Sequence, residues 1–493
     1  MGVRGNIVRR PVIVALGAAI IAVIAVGVFL VNALVSADDG SQALRPGDRV
    51  TAFALAWPSS REALRASGSS PVTFSRPFTC DEVLTAEQTT VDGEEQAVPA
   101  GTIICLEAGT RPPLTIKSIQ GRPDRPVVFV NLGRVTISGT HDDYAGITIT
   151  DSAEIHITGA GGEDVACGAG IPVDEQDCGI VIHGTGRGIA GPGRTSGVTI
   201  DHVEITGTSH SGVHLTAKAG DGITRDSFVQ ERTRVHSSYL HDVGKEGLYL
   251  GSSFYQDGVD PVLTGVEVSH NLVVTSGWDG IQVGSAVADC AIRWNTVVLA
   301  GSRNTANQNS GIIANRGSVC DIDHNVVVSS AAQGIYVQGN GGNRIHHNLV
   351  VGAGIRDPGR GEGITIRTGS NTDGSVYVWH NTVVAAAGAG VLFRNEVGAD
   401  NTISNNLVVS AGREPIDASA RARVHSVGNV TVETIQGARF AAPYLGNFQP
   451  TETSPAVGSA SPDEVREGVD LVGLPLPSGT DTAGALEPTT GQS

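Results

Sequence analysis

The sequence predicts an all-β chain, a right-handed parallel β-helix solenoid with an N-terminal transmembrane helix. Two repeated phrases and one apolar segment carry this prediction. The first phrase is built around Asn and reads SHNLVV at 269–274 and HHNLVV at 346–351. The second phrase is a Gly followed by alternating apolar residues, as in GIQV at 280–283 and GIYV at 334–337. The apolar segment spans residues 12–31 and contains no charged residue.

The Asn phrase recurs at spacings of 23 to 33 residues. Its Asn residues are Asn271, Asn295, Asn325, Asn348, Asn381, Asn406 and Asn429. Alternation in the Gly phrase points Val, Ile and Leu inward from short strands. One such repeat cannot bury its apolar face alone, but coils stacked about 4.8 Å apart can. We expect each Asn to take the left-handed backbone of a tight bend and to bond to the Asn of the next coil.

These repeats resemble the right-handed parallel β-helix superfamily that includes pectate lyases, polygalacturonases and related polysaccharide lyases and epimerases. The resemblance covers roughly residues 98–487, from the opening phrase PAGTIICLEAGT to the closing phrase SPAVGSA at 454–460. It implies a carbohydrate-active protein whose ligand is a polysaccharide. The fold hosts many chemistries, so the resemblance implies the architecture more strongly than the reaction.

Composition agrees with an all-β chain and limits the partners. The 493 residues include 65 Gly and only 4% aromatic residues, and the formal net charge is −17. Acidic proteins are poor partners for nucleic acid and anionic lipid, because both select basic surfaces. The same charge disfavours a polyanionic substrate unless a divalent cation bridges the two. We expect a monomer.

The N-terminus reads as a signal anchor. Arg4, Arg9 and Arg10 precede the apolar run at 12–31, whose length is close to the roughly 20 residues that span a bilayer. This orientation places everything after Ala37 outside the cytoplasm, at the cell membrane. A signal peptide cleaved after residues 35–37 is the alternative. The expected segments are the anchor at 1–37, a linker and cap at 38–97, the β-helix at 98–435, and a C-terminal cap and mobile tail at 436–493.

Six cysteines fit an oxidising compartment. Proximity in sequence pairs Cys80 with Cys105 and Cys167 with Cys178. Cys290 and Cys320 each lie five residues before a ladder Asn, so they share one position on neighbouring coils, within disulfide reach. Six free buried thiols are the alternative.

Insertions locate the expected groove. Coils lengthen on either side of the Gly-phrase strands, at Thr216–Thr233, Ser252–Val262, Gly301–Asn309 and Gly354–Gly361. Loops of this kind wall a groove and concentrate binding residues.

The residues before the Gly of each repeat form a column, and two of its members are acids. The column is Ser211, Glu246, Asp279, Ser310, Gln333, Glu362 and Ala389. Stacking brings Glu246 and Asp279 close, and paired carboxylates can serve as acid and as base or nucleophile in a glycoside hydrolase. WDGIQV at 278–283 also resembles the Asp-Gly element of polygalacturonases, in which Asp279 would be catalytic. Alternatively, both acids are inert turn residues.

A lysine supports a second mechanism. Lys245 could be the base of a polysaccharide lyase or C5 epimerase, with Glu246 and Asp279 as cation ligands and Asp242 as an orienting acid. No cofactor is expected for a hydrolase, whereas a lyase could use Ca²⁺. Substrate-binding candidates are Trp278, Tyr249, Gln282, His214, Tyr336 and Arg367, with Arg394 and Lys218 nearby.

No metal site is expected from the histidines. His324, His347 and His380 precede ladder Asn residues on consecutive coils, so the outer two are nearly 10 Å apart in a straight stack, by about twice the coil spacing. Zinc needs ligands at about 2.0–2.1 Å.

Three functions therefore stay open: a glycoside hydrolase, a polysaccharide lyase or epimerase, and a tethered glycan-binding or structural protein without enzymatic activity. An electropositive groove favours the second, and a flat face with dispersed acids favours the third.

Overall fold

A computed structural model describes residues 78–162, 165–339, 341–367, 374–462, 469–473 and 482–488. The predicted anchor at 12–31 lies outside these residues. Among the residues that are described, no helix is long and apolar enough to cross a membrane.

The chain winds as a parallel β-helix in which each coil contributes strands to three faces. Face 1 and face 2 belong to one 23-stranded sheet, and face 3 is a 12-stranded sheet. Each strand of a face pairs in parallel with its counterpart one coil away. The all-β parallel architecture predicted from the repeats is confirmed.

The strands of face 1 are β1 (Glu82–Leu84), β3 (Ile103–Arg111), β5 (Val127–Ser138), β7 (Ala153–Thr158), β10 (Ser196–Asp201), β13 (Val229–His236), β16 (Val262–Ser269), β19 (Ala286–Arg293), β22 (Cys320–Asp323), β25 (Arg344–His346), β28 (Tyr377–Trp379), β31 (Asn401–Ser404) and β34 (Val424–Val427). Those of face 2 are the second halves of β3 and β5, then β8 (Ile180–His183), β11 (Val203–Thr206), β14 (Tyr239–Val243), β17 (Leu272–Ser276), β20 (Thr296–Val298), β23 (Val326–Val328), β26 (Leu349–Val351), β29 (Thr382–Val384), β32 (Leu407–Val409) and β35 (Val430–Val432).

Those of face 3 are β2 (Thr90–Asp92), β4 (Leu114–Lys117), β6 (Ile147–Thr150), β9 (Ile189–Ala190), β12 (Val213–Leu215), β15 (Leu248–Leu250), β18 (Ile281–Val283), β21 (Ile312–Ala314), β24 (Ile335–Val337), β27 (Ile364–Ile366), β30 (Val391–Phe393) and β33 (Ile416–Ala418). Outside the coils, β36 (Phe440–Ala442) and β37 (Asn447–Pro450) form an antiparallel pair. Short 3-10 turns occupy Val173–Glu175, Tyr255–Asp257, Pro358–Arg360 and Pro443–Leu445.

The inward side chains of all three faces merge into one apolar core of stacked Val, Ile and Leu. The Gly before each face 3 strand belongs to this packing. A Cβ on Gly280 would lie 2.4 Å from Val297 Cγ1 and 2.6 Å from the carbonyl oxygen of Gly311. Close approach of neighbouring coils, and not a left-handed backbone, therefore requires Gly at this position.

The expected Asn ladder joins face 1 to face 2. Each Asn donates from Nδ2 to Oδ1 of the next Asn at 2.9–3.0 Å, from Asn271 to Asn429. The same Oδ1 accepts the backbone N–H of the preceding Asn at 2.9–3.1 Å. Because the remaining N–H of each amide reaches a carbonyl oxygen of the previous coil, these buried side chains are well satisfied.

One detail of the ladder was predicted wrongly. The left-handed residue of the bend is the one before each Asn, for example His270 with φ 57° and Trp294 with φ 56°. The Asn side chain points into the interior to form the ladder, so the residue before it adopts the left-handed backbone conformation of the bend.

All three predicted disulfides are present. Cys80–Cys105, Cys167–Cys178 and Cys290–Cys320 have Cα separations of 5.7, 5.1 and 4.5 Å. Cys290 and Cys320 are partners in the β19–β22 register, as their spacing from the ladder indicated.

The C-terminal segment covers more than the last coil, because it packs against face 2 over several coils. Its Phe440, Phe448, Leu471 and Leu486 pack on the outward apolar residues of face 2, from Val298 to Val409. Gly484 N–H donates to the Asn405 carbonyl oxygen at 2.8 Å, and Ala485 N–H donates to Thr382 Oγ1 at 2.9 Å. We call the described residues of 436–488 the C-terminal arm, which covers face 2 over several coils.

The ladder makes a first prediction. Asn348→Ala leaves the buried N–H of Asn325 without its acceptor and removes four further bonds, so we expect a loss of about 2–4 kcal/mol in the free energy of unfolding. Urea unfolding followed by circular dichroism measures it. The matched control is Asn429→Ala at the half-buried end of the ladder, where water can replace the side chain. Equal losses at both positions would contradict an internal role for the ladder.

Candidate functional site on face 3

Coverage distinguishes the faces of the helix. The outward side of face 2 is sealed by the C-terminal arm and, at Tyr239 and Leu272, by the loop of the Cys167–Cys178 disulfide. Face 3 instead presents half-buried His214, Tyr249 and Tyr336 on its outward side. Face 3 is therefore the candidate ligand surface.

Loops flank face 3 on both edges, where the insertions were expected. At the edge that the strands leave, Arg225 donates to the Tyr255 carbonyl oxygen at 2.7 Å and to that of Asp260 at 3.0 Å. At the edge that the strands enter, Arg356 donates to the Ser302 carbonyl oxygen at 2.6 Å. The loops of each edge thus brace one another. The first insertion is shorter than expected, because Val229 already begins β13.

The predicted column before the Gly residues exists and is buried. Gly247 N–H donates to the Asp279 carbonyl oxygen and Gly280 N–H to that of Ser310, which fixes Glu246 and Asp279 one coil apart. Glu246 is 3% exposed and Asp279 is fully buried. Ser211 Oγ donates to Glu246 Oε2 at 2.7 Å, and the Ser310 N–H donates to Asp279 Oδ1 at 2.7 Å.

Burial changes the chemistry of both acids. Desolvation raises the pKa of Glu246, although the hydrogen bond from Ser211 opposes the rise. Desolvation also raises the pKa of Asp279 well above its usual range, and the charge of Glu246 adds to the effect. Asp279 Oδ2 has no hydrogen-bond partner within the described parts of the chain. A carboxyl in this setting favours its protonated form.

Lys245 lies beside this column and above a ring. Its Nζ is 4.5 Å from the centroid of the Trp278 ring, a cation–π contact. Burial lowers the pKa of Lys245; the charge of Glu246 opposes the shift, and the charges of Arg187, Arg303 and Lys218 add to it.

The surroundings of Lys245 are positive despite the acidity of the chain. The pKa of His210 is lowered to about 4, first by burial and then by the charges of Lys245, Arg187 and Arg303. Other arginines of the protein are neutralised, as in the pairs of Arg232 with Glu154 at 2.7 Å and of other face 1 arginines with acids. Within the described residues, no ion pair neutralises the four cations Arg187, Lys218, Lys245 and Arg303, which we call the cationic cluster.

Three expected binding residues lie on the outward side of face 3. His214 and Tyr249 make an edge-to-face contact at 4.8 Å, and Tyr249 Oη lies 3.0 Å from Ser253 Oγ. Gln282 is 2% exposed and donates to the same Ser253 Oγ at 2.7 Å. Because Gln282 is buried, it is better placed to hold Ser253 in position than to contact a ligand. Burial also lowers the pKa of His214 to about 3, so its ring is neutral at pH 7.

The remaining candidates are divided. Tyr336 is half-buried with exposed Arg367 close to it, whereas Arg394 is paired with Asp417 at 2.8 Å. Asp242 is a left-handed residue near the end of β14, with φ 51°, and its exposed carboxylate lies 2.9 Å from His241 Nδ1. Asp242 therefore shapes a turn, and its side chain joins His241 and not the carboxyl column.

Sequence reasoning missed Arg187, His210, Arg303 and Ser253. Arg187 precedes Gly188, whose strand β9 has only two residues, so its repeat was too short to be recognised. Alignment one position earlier would have placed His210 in line with Lys245, because the Lys245 N–H donates to the His210 carbonyl oxygen. Arg303 and Ser253 lie on insertions, which carry no repeat signal.

The histidine column forms a stack. The rings of His324 and His347 are 5.0 Å apart and those of His347 and His380 are 5.2 Å apart, nearly parallel in both cases. Rings stacked in this way do not converge on one ion. Across the described ranges, no group of three or more His, Cys, Asp or Glu side chains is arranged to hold a metal.

The burial of Asp279 gives a second prediction. The raised pKa means that wild type loses stability as pH rises from the ordinary aspartate value of about 3.9 towards the folded-state value. Asp279→Asn cannot ionise and still accepts from Ser310, so we expect its thermal midpoint to exceed that of wild type, more at pH 8 than at pH 5. Scanning calorimetry at both pH values measures this, with the exposed Asp226→Asn as control. A difference independent of pH would contradict the shift.

One family model matches part of the chain. Residues 175–377 match the family model described as periplasmic copper-binding protein (NosD). No curated protein matches the chain.

Several solved structures are similar in fold. The alginate lyase from Paenibacillus sp. str. FPU-7 is 15% identical, with a TM-score of 0.39 over 71% of this chain and 99% of that one. Pectate lyase Pel9A is 12% identical, with a TM-score of 0.43 over 84% and 98%. The GH136 lacto-N-biosidase from Eubacterium ramulus is 12% identical, with a TM-score of 0.45 over 72% and 68%.

The fold of this chain follows from its own strand pairing. The chain is a parallel β-helix, as its repeats predicted.

Proposed function

We propose that the protein acts on an acidic polysaccharide outside the cytoplasm, as a lyase or C5 epimerase with Lys245 as its base. One observation carries the proposal: a loop-flanked face of an acidic protein bears the cationic cluster around a lysine of lowered pKa. Clustered unpaired cations attract anionic chains, and a desolvated lysine is a suitable general base.

The chemistry follows from these positions. Arg187 and Arg303 neutralise the carboxylate of a bound uronate, which acidifies the hydrogen on the adjacent C5. Lys245 takes this proton. In a lyase, the C–H electrons form the C4–C5 double bond and the C4–O bond breaks. The leaving oxygen takes its proton from solvent water. In an epimerase, C5 instead regains a proton on its opposite side.

A glycoside hydrolase is the second candidate, because Glu246 and Asp279 stack one coil apart and both have raised pKa values. Hydrolysis needs one carboxyl ionised and in contact with the sugar or its attacking water. Both carboxyls are buried beneath the surface, so they suit charge tuning and support of Lys245 better than direct attack.

The expected location is also a proposal. Three disulfides fit an oxidising compartment, as does the similarity of 175–377 to a periplasmic family. Residues 12–31 would tether the β-helix to the membrane with faces 1 to 3 outside. That family description names copper. Among the described residues, no three or more His, Cys, Asp or Glu side chains are arranged to hold a metal ion. The rings of His324, His347 and His380 stack in parallel and do not converge on one point.

The role of Lys245 gives a third prediction. With residues 38–493 and a panel of acidic glycans, we expect the ultraviolet absorbance of unsaturated uronates to rise, or the uronate configuration to invert. Lys245→Ala should lower the rate about 10²–10⁴-fold. The rate should rise with pH and level off above the pKa of Lys245, below the ordinary lysine value of about 10.4, because the free amine is the active form.

Two further variants make this test specific. Lys245→Arg keeps the charge and the contact with Trp278 but supplies no base, so activity restored by arginine would contradict the proposal. Arg421→Ala removes one charge at an exposed site elsewhere and should leave the rate unchanged.

Release of reducing ends from neutral glycans, abolished by Glu246→Gln, would favour the hydrolase. Glycan binding without turnover would favour a non-enzymatic binding protein.

A further inference from the structure

A second group of arginines lies further along face 3. Tyr336 on β24 is in register with Ile313 on β21 and with Thr365 on β27. Arg316 follows β21 by two residues and Arg367 follows β27 directly, so the two arginines lie on either side of Tyr336 along the helix axis.

Arg360 approaches the same tyrosine from the loop at the other edge of face 3. Burial raises the pKa of the Tyr336 hydroxyl. The positive charges of Arg367, Arg360 and Arg316 oppose this rise, and the charge of Glu362 adds to it. All three arginines are exposed. We call Arg316, Tyr336, Arg360 and Arg367 the distal cluster.

Neutral partners hold two of these arginines in place. Arg316 Nη1 donates to Gln256 Oε1, and Arg360 Nη1 donates to Asn307 Oδ1. Among the residues that the structure describes, no carboxylate forms an ion pair with any of the three. A guanidinium held by an amide keeps its full charge and most of its donors for a ligand.

Unsatisfied polar atoms lie beneath the distal cluster. Thr365 is fully buried and shares the column of Tyr336, and its Oγ1 has no hydrogen-bond partner among the described residues. Glu362 is 6% exposed, and its Oε2 likewise has no partner there. Buried polar atoms without partners are uncommon in folded proteins, and an enclosed water would satisfy them.

We propose that the distal cluster is a separate binding subsite for an acidic substituent, carboxylate or sulfate, of the polysaccharide chain that Lys245 processes. Tyr249 and Tyr336 are three coils apart, about 14 Å at a coil spacing of about 4.8 Å. The cationic cluster and the distal cluster thus hold one chain at two points. The identification of the ligand as an acidic polysaccharide rests on the proposed function.

Chain length tests the subsite. Calorimetric titration compares a short acidic oligosaccharide, which reaches one cluster only, with one long enough to span both. In the Arg360→Ala/Arg367→Ala variant we expect the dissociation constant of the long ligand to rise about tenfold or more and that of the short ligand at the cationic cluster to stay unchanged. Polyuronate and sulfated neutral glycan series are titrated in parallel to distinguish the two acidic groups.

The control variant removes the same charge elsewhere. Arg122→Ala/Arg421→Ala takes away two exposed cations, and both affinities should stay at wild-type values. Equal weakening of long and short ligands by the distal substitutions, or no weakening of either, would overturn the subsite.

The proposed function and the subsite fail in different ways. Length-dependent binding that needs Arg360 and Arg367, in a protein that turns over no acidic glycan, would keep the subsite and reject the reaction. Turnover that depends on Lys245 but is indifferent to Arg360 and Arg367 at every chain length would keep the reaction and reject the subsite.

Discussion

Hydrogen bonds between ladder Asn side chains hold consecutive coils in one register from Asn271 to Asn429. Each amide uses its oxygen twice and both of its N–H groups, so a slip by one residue would leave buried polar atoms without partners. Register in turn decides which residues stack into columns. The disulfide between Cys290 and Cys320, the packing of Gly280 and the pairing of Glu246 with Asp279 all depend on it.

The faces of the helix differ in how far other parts of the chain cover them, because their outward residues differ. Face 2 carries Val and Leu on both sides of its strands, and such a surface needs a cover in water. The C-terminal arm and the Cys167–Cys178 loop provide it. Face 3 carries half-buried His214, Tyr249 and Tyr336 outward, and its inserted loops lie at its edges. The outward column between and beyond them is buried, at Gln282, Ile313, Thr365 and Leu392. The protein therefore has one face that is sealed by its own chain and another that remains the candidate ligand surface.

Charge is distributed as unevenly as coverage. The net charge of −17 argued against an acidic ligand, but net charge is a property of the whole surface and a ligand meets only one face. Ion pairs neutralise arginines on face 1, whereas the cations around Lys245 keep their charge. Burial, and after it repulsion from the other cations, lowers the pKa of Lys245, so the cluster that would attract the ligand would also help to activate the base.

The sequence by itself determined the coil architecture, the ladder, all three disulfides and the positions of the insertions, because each is a local pattern repeated at a constant stacking distance. It also placed Glu246, Asp279, Lys245 and Trp278 at one edge of face 3. Only the tertiary structure decided that the two acids are buried, that the C-terminal arm covers face 2, and that Arg187 and Arg303 surround Lys245. These features join residues from different coils and loops, and burial and electrostatic environment arise from such contacts and leave no periodic trace in the sequence.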